Sequence, residues 1–205
     1  MKGLFISFEG IDGCGKSTQI DLLAKRFTKL KKPIVKTEEP GGTAGANEIR
    51  KILLRENNFQ WSVETEALLF MAARNDHVEK VIKPSLKENK IVICDRFMDS
   101  TLVYQGMRSP KAKQLSLTLF ELIAINPDIT FLIDMEPEIA LNRALSRSTE
   151  EDRFENYGIN FQHKLRKNFL DIAHKHSDRI KIINGNQSPE DVAAQINESI
   201  KTLAV

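Results

Sequence analysis

Cysteine, tryptophan, one-sided charge and long apolar runs are what this 205-residue chain has least of, and each shortage removes a class of protein. Its two cysteines, Cys14 and Cys94, stand far apart without CxxC spacing. That excludes a disulfide scaffold and favours a reducing, cytoplasmic setting. The opening LFISF reads as a strand rather than an export signal. No stretch approaches the roughly 18 uncharged apolar residues that a membrane span requires. Lys and Arg total 30 against 28 for Asp and Glu, a net charge of +2, so neither nucleic acid nor a membrane is an expected partner. The densest basic run, Lys25, Arg26, Lys29, Lys31 and Lys32, lies where a helix should end and suits the helix dipole. Histidine is also scarce, and the two-residue spacing of His174 and His176 points them to different helix faces, which argues against a zinc pair.

What remains is enough for one soluble domain over residues 1–205, with 41% hydrophobic residues to build a core. Short β-rich runs at 4–8, 33–37, 90–94, 129–134 and 180–183 alternate with helical patterns, which predicts an α/β fold with a parallel sheet. Few polar residues interrupt these runs, as in strands covered by helices on both faces. Ile20, Leu22, Leu23, Phe27 and Leu30 mark a helix over 17–30, and a longer apolar stripe runs from 63 to 82. Ser188, Pro189 and Asp191 form a capping arrangement for a last helix carrying Val192, Ile196 and Ile200. The polar stretch SRSTEEDRFENYG, 146–158, reads on its own as a surface loop.

The chemistry starts at FEGIDGCGKST, positions 8–18. Gly10, Gly15, Lys16 and Ser17 match G-x-x-x-x-G-K-[ST] between a strand and a helix, the context this phosphate-binding motif needs. Backbone N–H groups around the glycines and the helix N-terminus favour an anion, and Lys16 adds a point charge for the β and γ phosphates. The expected ATP-binding loop comprises Gly10, Ile11, Asp12, Gly13, Cys14, Gly15, Lys16, Ser17 and Thr18. Ser17 is an expected Mg²⁺ ligand, and Asp95, ending the third strand at VICDRF, is placed to hold the same ion, directly or through water. Arg96 is placed to grip a second phosphate; the plainer alternative is a buried ion pair with Asp95. A switch GTPase is disfavoured because the sole Asn-Lys, Asn89-Lys90, continues as Ile91-Val92. A dinucleotide fold is disfavoured because the glycines run G-x-x-G-x-G.

With FEGIDGCGKST, the segments EEPGGT, FMAAR, DRFMDSTLVYQG and LIDMEPEIALNRA, in this order and at these separations, resemble the bacterial thymidylate kinases over almost the whole chain. The resemblance implies a three-layer α/β/α P-loop NTPase fold with five parallel strands in the order 2-3-1-4-5. It also implies phosphoryl transfer from MgATP to dTMP, giving dTDP for dTTP synthesis, and a homodimer. By the same resemblance Asp12 would bind the sugar 3′-hydroxyl, and Arg50 and Arg96 the acceptor phosphate. Phe70 would stack on thymine, Arg74 would donate to its O4, and Ser100 and Gln105 would contact the base edge. Tyr104 would lie under the deoxyribose. The segment from about 143 to 158 would be a mobile lid. Because Gly13 stands where related kinases carry a loop arginine, the transition-state cations would be lid residues, Arg147, Arg153 or Arg143, acting with Lys16 and Arg96.

Two features depart from the pattern. Glu38 replaces the arginine usual before Glu-Pro-Gly-Gly-Thr, and is expected to face solvent or pair with a nearby arginine. The stretch MRSPKAKQ lacks the glycine-rich continuation expected after YQG. The competing readings are a P-loop kinase of another nucleotide or deoxynucleoside, and an ATP-binding regulatory protein without acceptor turnover.

Overall fold

The structure, a computed structural model, describes residues 3–54, 60–146 and 157–201. In chain order the elements are β1 (Leu4–Glu9), α1 (Lys16–Lys29), β2 (Ile34–Glu38), α2 (Ala44–Leu54), α3 (Val63–His77), a π-helical turn (Val78–Ile82), α4 (Lys83–Lys87) and β3 (Ile91–Asp95). There follow α5 (Met98–Tyr104), α6 (Pro110–Ile123), β4 (Ile129–Asp134), α7 (Pro137–Leu145), α8 (Ile159–Lys175), β5 (Ile180–Asn184) and α9 (Pro189–Lys201). The strands form one parallel sheet in the order β2-β3-β1-β4-β5, as expected.

Side-chain alternation distributes the strands between two cores. Leu4, Ile6 and Phe8 of β1 pack with Ile20, Leu23 and Phe27 of α1, Phe169 of α8 and Ile196 of α9. Phe5 of β1 points the other way, with Val92 and Cys94 of β3, towards Met71 of α3, Val78, Ile82 and Ile123. Central β1 is buried along its whole length, whereas edge strand β2 is only half covered. That gradient is what helices on both faces of a parallel sheet produce.

The apolar stripe predicted over 63–82 is helical throughout but changes pitch. Pro84 has no N–H for the carbonyl four residues back, and its ring crowds that carbonyl. The helix widens there: the Lys83 N–H bonds to Val78 O, five residues back, across the π turn. In α9, Ser188 Oγ accepts the Asp191 N–H at 3.1 Å and donates to Asp191 Oδ2 at 2.6 Å, the expected cap. The MRSPKAKQ stretch builds a helix start instead of a glycine-rich loop. Ser109 Oγ accepts the Ala112 N–H at 3.2 Å, and Pro110 takes the first helical position of α6.

One close approach matters for the site. Gly13 has φ +81°, and a Cβ built there would lie 1.9 Å from Ala140 O of α7. Backbone therefore rests on backbone, and α7 is seated directly against the phosphate loop. Among the described residues, no helix is long and apolar enough to cross a membrane.

Candidate active site

The carboxyl edge of β1 runs directly into the glycine loop. Gly15, with φ +97°, caps α1 without a side chain, and the first turn of α1 contains no acidic residue. The N-terminal N–H groups of α1 are thus left to the loop and to any anion brought there, with the helix dipole behind them. Lys16 is buried and curls over its own loop, donating to Gly10 O and Ile11 O at 3.1 Å each. At the end of β3, Asp95 Oδ2 lies 3.4 Å from Ser17 Oγ, while Asp95 Oδ1 is buried with no hydrogen-bond partner among the described residues. A buried carboxylate oxygen left bare beside a hydroxyl is a donor set that suits a hard divalent cation.

Next to the loop lies a cavity of about 180 Å³ lined by Asp12, Arg50, Phe70, Arg74, Arg96, Ser100, Tyr104 and Gln105, together with Glu39, Pro40, Leu54, Phe97 and Thr101. Every residue expected on the acceptor side borders this one space. Six elements or loops supply them, so the cavity is a product of the fold and not of any local segment.

Arg96 stands at its centre. Its φ of +66° is the left-handed region, uncommon for a side chain with a Cβ. Its head group offsets that strain with hydrogen bonds: Nη1 to Gly10 O at 3.0 Å and Ser100 Oγ at 2.9 Å, Nη2 to Asp12 Oδ1 at 2.5 Å. The guanidinium also lies 5.2 Å from the centre of the Tyr104 ring, whose hydroxyl donates to Asp12 Oδ2 at 2.8 Å. Arg96 therefore pairs with Asp12 and not with the adjacent Asp95. Burial alone would raise the Asp12 carboxyl, but Arg96, Lys16 and the Tyr104 hydroxyl outweigh it and hold it at about 2. Burial likewise works against the charge on Arg96, and Asp12 with the neighbouring acidic groups overrides it, keeping Arg96 more firmly protonated than usual.

Beneath this pair lies Glu9, to which sequence reasoning gave no role. It is 1% exposed and accepts from Phe97 N at 2.8 Å, Ser100 N at 3.2 Å and Ser100 Oγ at 2.6 Å. Burial, then the nearby Asp99 carboxylate, push it up to about 7. Ser100 is thus engaged with both Glu9 and Arg96. Gln105 Nε2 donates to buried Glu66 at 3.3 Å.

The base-side pair, Phe70 and Arg74, lies one turn apart on α3 as its spacing predicts. Phe70 is half-buried and packs on the core while bordering the cavity. Arg50 of α2 donates to Pro40 O at 2.8 Å and Glu38 Oε2 at 3.1 Å. Glu38 is 58% exposed, so the expectation that it faces solvent or pairs with an arginine is met on both counts. Arg143, near the end of α7, places Nη1 3.5 Å from Met135 Sδ. Arg147 and Arg153 lie outside the described residues.

A phosphate loop of this kind occurs in many proteins; the adjoining cavity is more selective, and comparison with known proteins agrees with it. Residues 8–196 match the family model described as "Thymidylate kinase". The chain is 48% identical to the thymidylate kinase of Ruegeria pomeroyi, across 98% of this chain and 95% of that one. It is 49% identical to that of Dinoroseobacter shibae, across 95% and 94%. The chain belongs to the thymidylate kinase family. The crystal structure of thymidylate kinase from Ehrlichia chaffeensis superposes with a TM-score of 0.79 at 33% identity, covering 98% of this chain and all of that one. Within the thymidylate kinase frame, three buried polar residues stand out that sequence reasoning left unassigned: Glu9, Glu39 and His77. Glu9 and Glu39 sit inside the quoted FEGIDGCGKST and EEPGGT segments, so a signal existed for both; His77 carries none by spacing.

Proposed function

We infer that this chain transfers the γ-phosphoryl group of ATP to the phosphate of dTMP, yielding dTDP and ADP. The observation that carries the reading is Arg96: one guanidinium touches the phosphate loop at Gly10 O and also borders the cavity that Phe70 and Arg74 enter. A nucleotide whose base lies against Phe70 and Arg74 would present its phosphate to Arg96 and Arg50, beside the loop that holds the donor.

An oxygen of the acceptor phosphate attacks Pγ in line. The new P–O bond forms as the bond from Pγ to the β-phosphate oxygen breaks, and the electron pair leaves with ADP. No nucleophile of the protein takes part. Lys16 and the N-terminus of α1 hold the β and γ oxygens, and Arg96 screens one anion from the other. Ser17 and Asp95 would hold Mg²⁺, which neutralises charge on the donor phosphates when bound. Asp12, kept ionised by Arg96, accepts from the sugar 3′-hydroxyl, and Tyr104 packs under the sugar. Ser100 and Gln105 set the base edge. Arg147, Arg153 or Arg143 supplies the remaining positive charge from the lid. Exposed Leu68 of α3 and Leu117 and Leu122 of α6, on two helices that pack together, support a homodimer through these helices. The two buried free thiols fit a reducing cytoplasm.

The test is ADP production by the purified protein with MgATP and, in turn, dTMP, dUMP, UMP, CMP, AMP, GMP and thymidine. A dominant, saturable response to dTMP is expected. A stronger response to another acceptor would overturn the assignments to Phe70 and Arg74, and ADP release indifferent to acceptor would overturn the kinase reading.

A further inference from the structure

Arg74 is only 2% exposed, yet it borders the acceptor cavity. A long side chain with a planar head is aimed by what grips the head. Arg74 Nε donates to Glu39 Oε2 at 2.6 Å, Nη2 donates to Thr101 Oγ1 at 3.0 Å, and the guanidinium lies 5.1 Å from the centre of the Phe97 ring. Among the described residues, Nη1 meets only thioethers, Met71 Sδ at 3.1 Å and Met98 Sδ at 3.6 Å. Thioether sulfur is a weak acceptor, so this end of the fork keeps donor capacity that a carbonyl oxygen would take.

Glu39 is itself held. It is 4% exposed, and Oε1 lies 2.9 Å from Nδ1 of His77, which is fully buried. A carboxylate only accepts, so Nδ1 donates, and Nε2 on the far side of the ring lies 2.6 Å from Thr37 Oγ1. Gly42, with φ +84°, closes the loop over this ring; a Cβ there would fall 2.4 Å from His77 Cδ2 and 2.6 Å from Thr37 Oγ1. Cys94 Sγ comes within 4.8 Å of both Glu39 and His77, a grouping that resembles a metal site. Both imidazole nitrogens and both Glu39 oxygens are already engaged, however, so it works as a hydrogen-bonded relay.

We propose that Glu39, oriented by His77, is a positioning residue for base selection: it fixes the Nε side of Arg74 so that the remaining donors meet an oxygen at position 4 of a pyrimidine. This rests on the reading of Arg74 given above. A 4-amino base would set donor against donor in a buried site, and a site built to hydrogen-bond a substrate atom rejects strongly the analogue that cannot reciprocate. A loosened Arg74 would turn aside and lose that discrimination.

The experiment compares kcat/KM for dTMP and 5-methyl-dCMP, which share the methyl group and differ in oxygen against amino at position 4 and in the proton at N3. Glu39→Gln is expected to lower the preference for dTMP at least about tenfold. Glu39→Asp, which keeps the charge but withdraws the carboxylate, carries the same expectation and serves if Glu39→Gln does not fold. His77→Ala should act in the same direction, and His77→Asn, which restores an N–H near Nδ1, should recover the preference. Equal slowing on both substrates, with the ratio unmoved, would overturn the proposal and make the relay structural only. Arg74→Met separates the two layers of inference. If it leaves the ratio unchanged, Arg74 does not read position 4, and that assignment falls with the proposal while the kinase activity stands. If it collapses the ratio while the Glu39 variants do not, only the positioning role falls.

Discussion

On the proposed reading, the donor end and the acceptor cavity of this enzyme solve the same problem, holding a phosphorylated nucleotide, by opposite means. The proposed donor end is nine consecutive residues whose grip would come from backbone N–H groups, a helix N-terminus and one lysine. The acceptor cavity is made of side chains gathered from six elements or loops, and four of them are held by a second side chain: Arg96 by Asp12, Ser100 by Glu9, Arg74 by Glu39, Gln105 by Glu66. A backbone cradle needs only glycines and survives many neighbours. A side-chain cradle is as good as its supports, and its chemical choice of substrate lies there.

The contrast can be broken most severely on the donor side. Lys16→Ala should lower kcat by about 10³-fold while leaving dTMP affinity nearly unchanged, as read by turnover beside calorimetric titration of dTMP. Substantial turnover in that variant would show that the loop backbone suffices alone. On the acceptor side, Arg96→Lys keeps the charge but loses the fork that spans Gly10, Ser100 and Asp12. A fall of about 10²-fold in kcat/KM for dTMP is expected, and near-normal kinetics would mean that Arg96 acts as a simple charge.

The support under the cavity should reveal itself through pH. A carboxyl raised from 4.5 to about 7 on folding binds its proton more tightly in the native state than in the unfolded chain. Its contribution therefore falls as pH rises between those two values, by about 3 kcal/mol in total. Melting temperature measured from pH 5 to 8 should decline more steeply for the natural enzyme than for Glu9→Gln; parallel curves would remove Glu9 from the account. Asp12 has the opposite sign, its contribution being lost as pH falls from about 4 towards 2, outside this window. The smallest effect belongs to the exposed pair at the rim. Glu38→Ala should lower the dTMP KM about two- to fivefold, since such pairs are worth at most about 1 kcal/mol. A hundredfold gain from Glu38→Arg would instead mean that the acceptor phosphate is poorly held in the natural chain.

The same contrast governs what could be read in advance. Strands of a doubly covered parallel sheet are continuous apolar runs, so β1 to β5 were legible to within a residue or so at their ends. Ser188 as a cap and Gly10 to Ser17 as a phosphate loop were legible because their partners are local. The π turn was not, since an apolar stripe does not report pitch. Asp12, Phe70, Arg74 and Tyr104 could be named only through resemblance, because nothing in their spacing says that they share a cavity. Glu9 was missed because its partners lie 88 and 91 positions away and it looks like a stray polar residue ending a strand. Ser100 was expected to serve the base edge; the structure adds its ties to Glu9 and Arg96, which sequence could not hint at.

The seat of α7 on the phosphate loop also bears on how such an enzyme can change over generations. Any side chain at position 13 would place its Cβ 1.9 Å from Ala140 O, so the α7 backbone would have to move. An arginine cannot be added to this loop by a single mutation unless α7 moves first. On the proposed reading, in which the positive charge comes from the segment after α7, a loop arginine and those later arginines are alternative evolutionary states separated by a barrier, and a lineage that holds one is kept from sampling the other one step at a time.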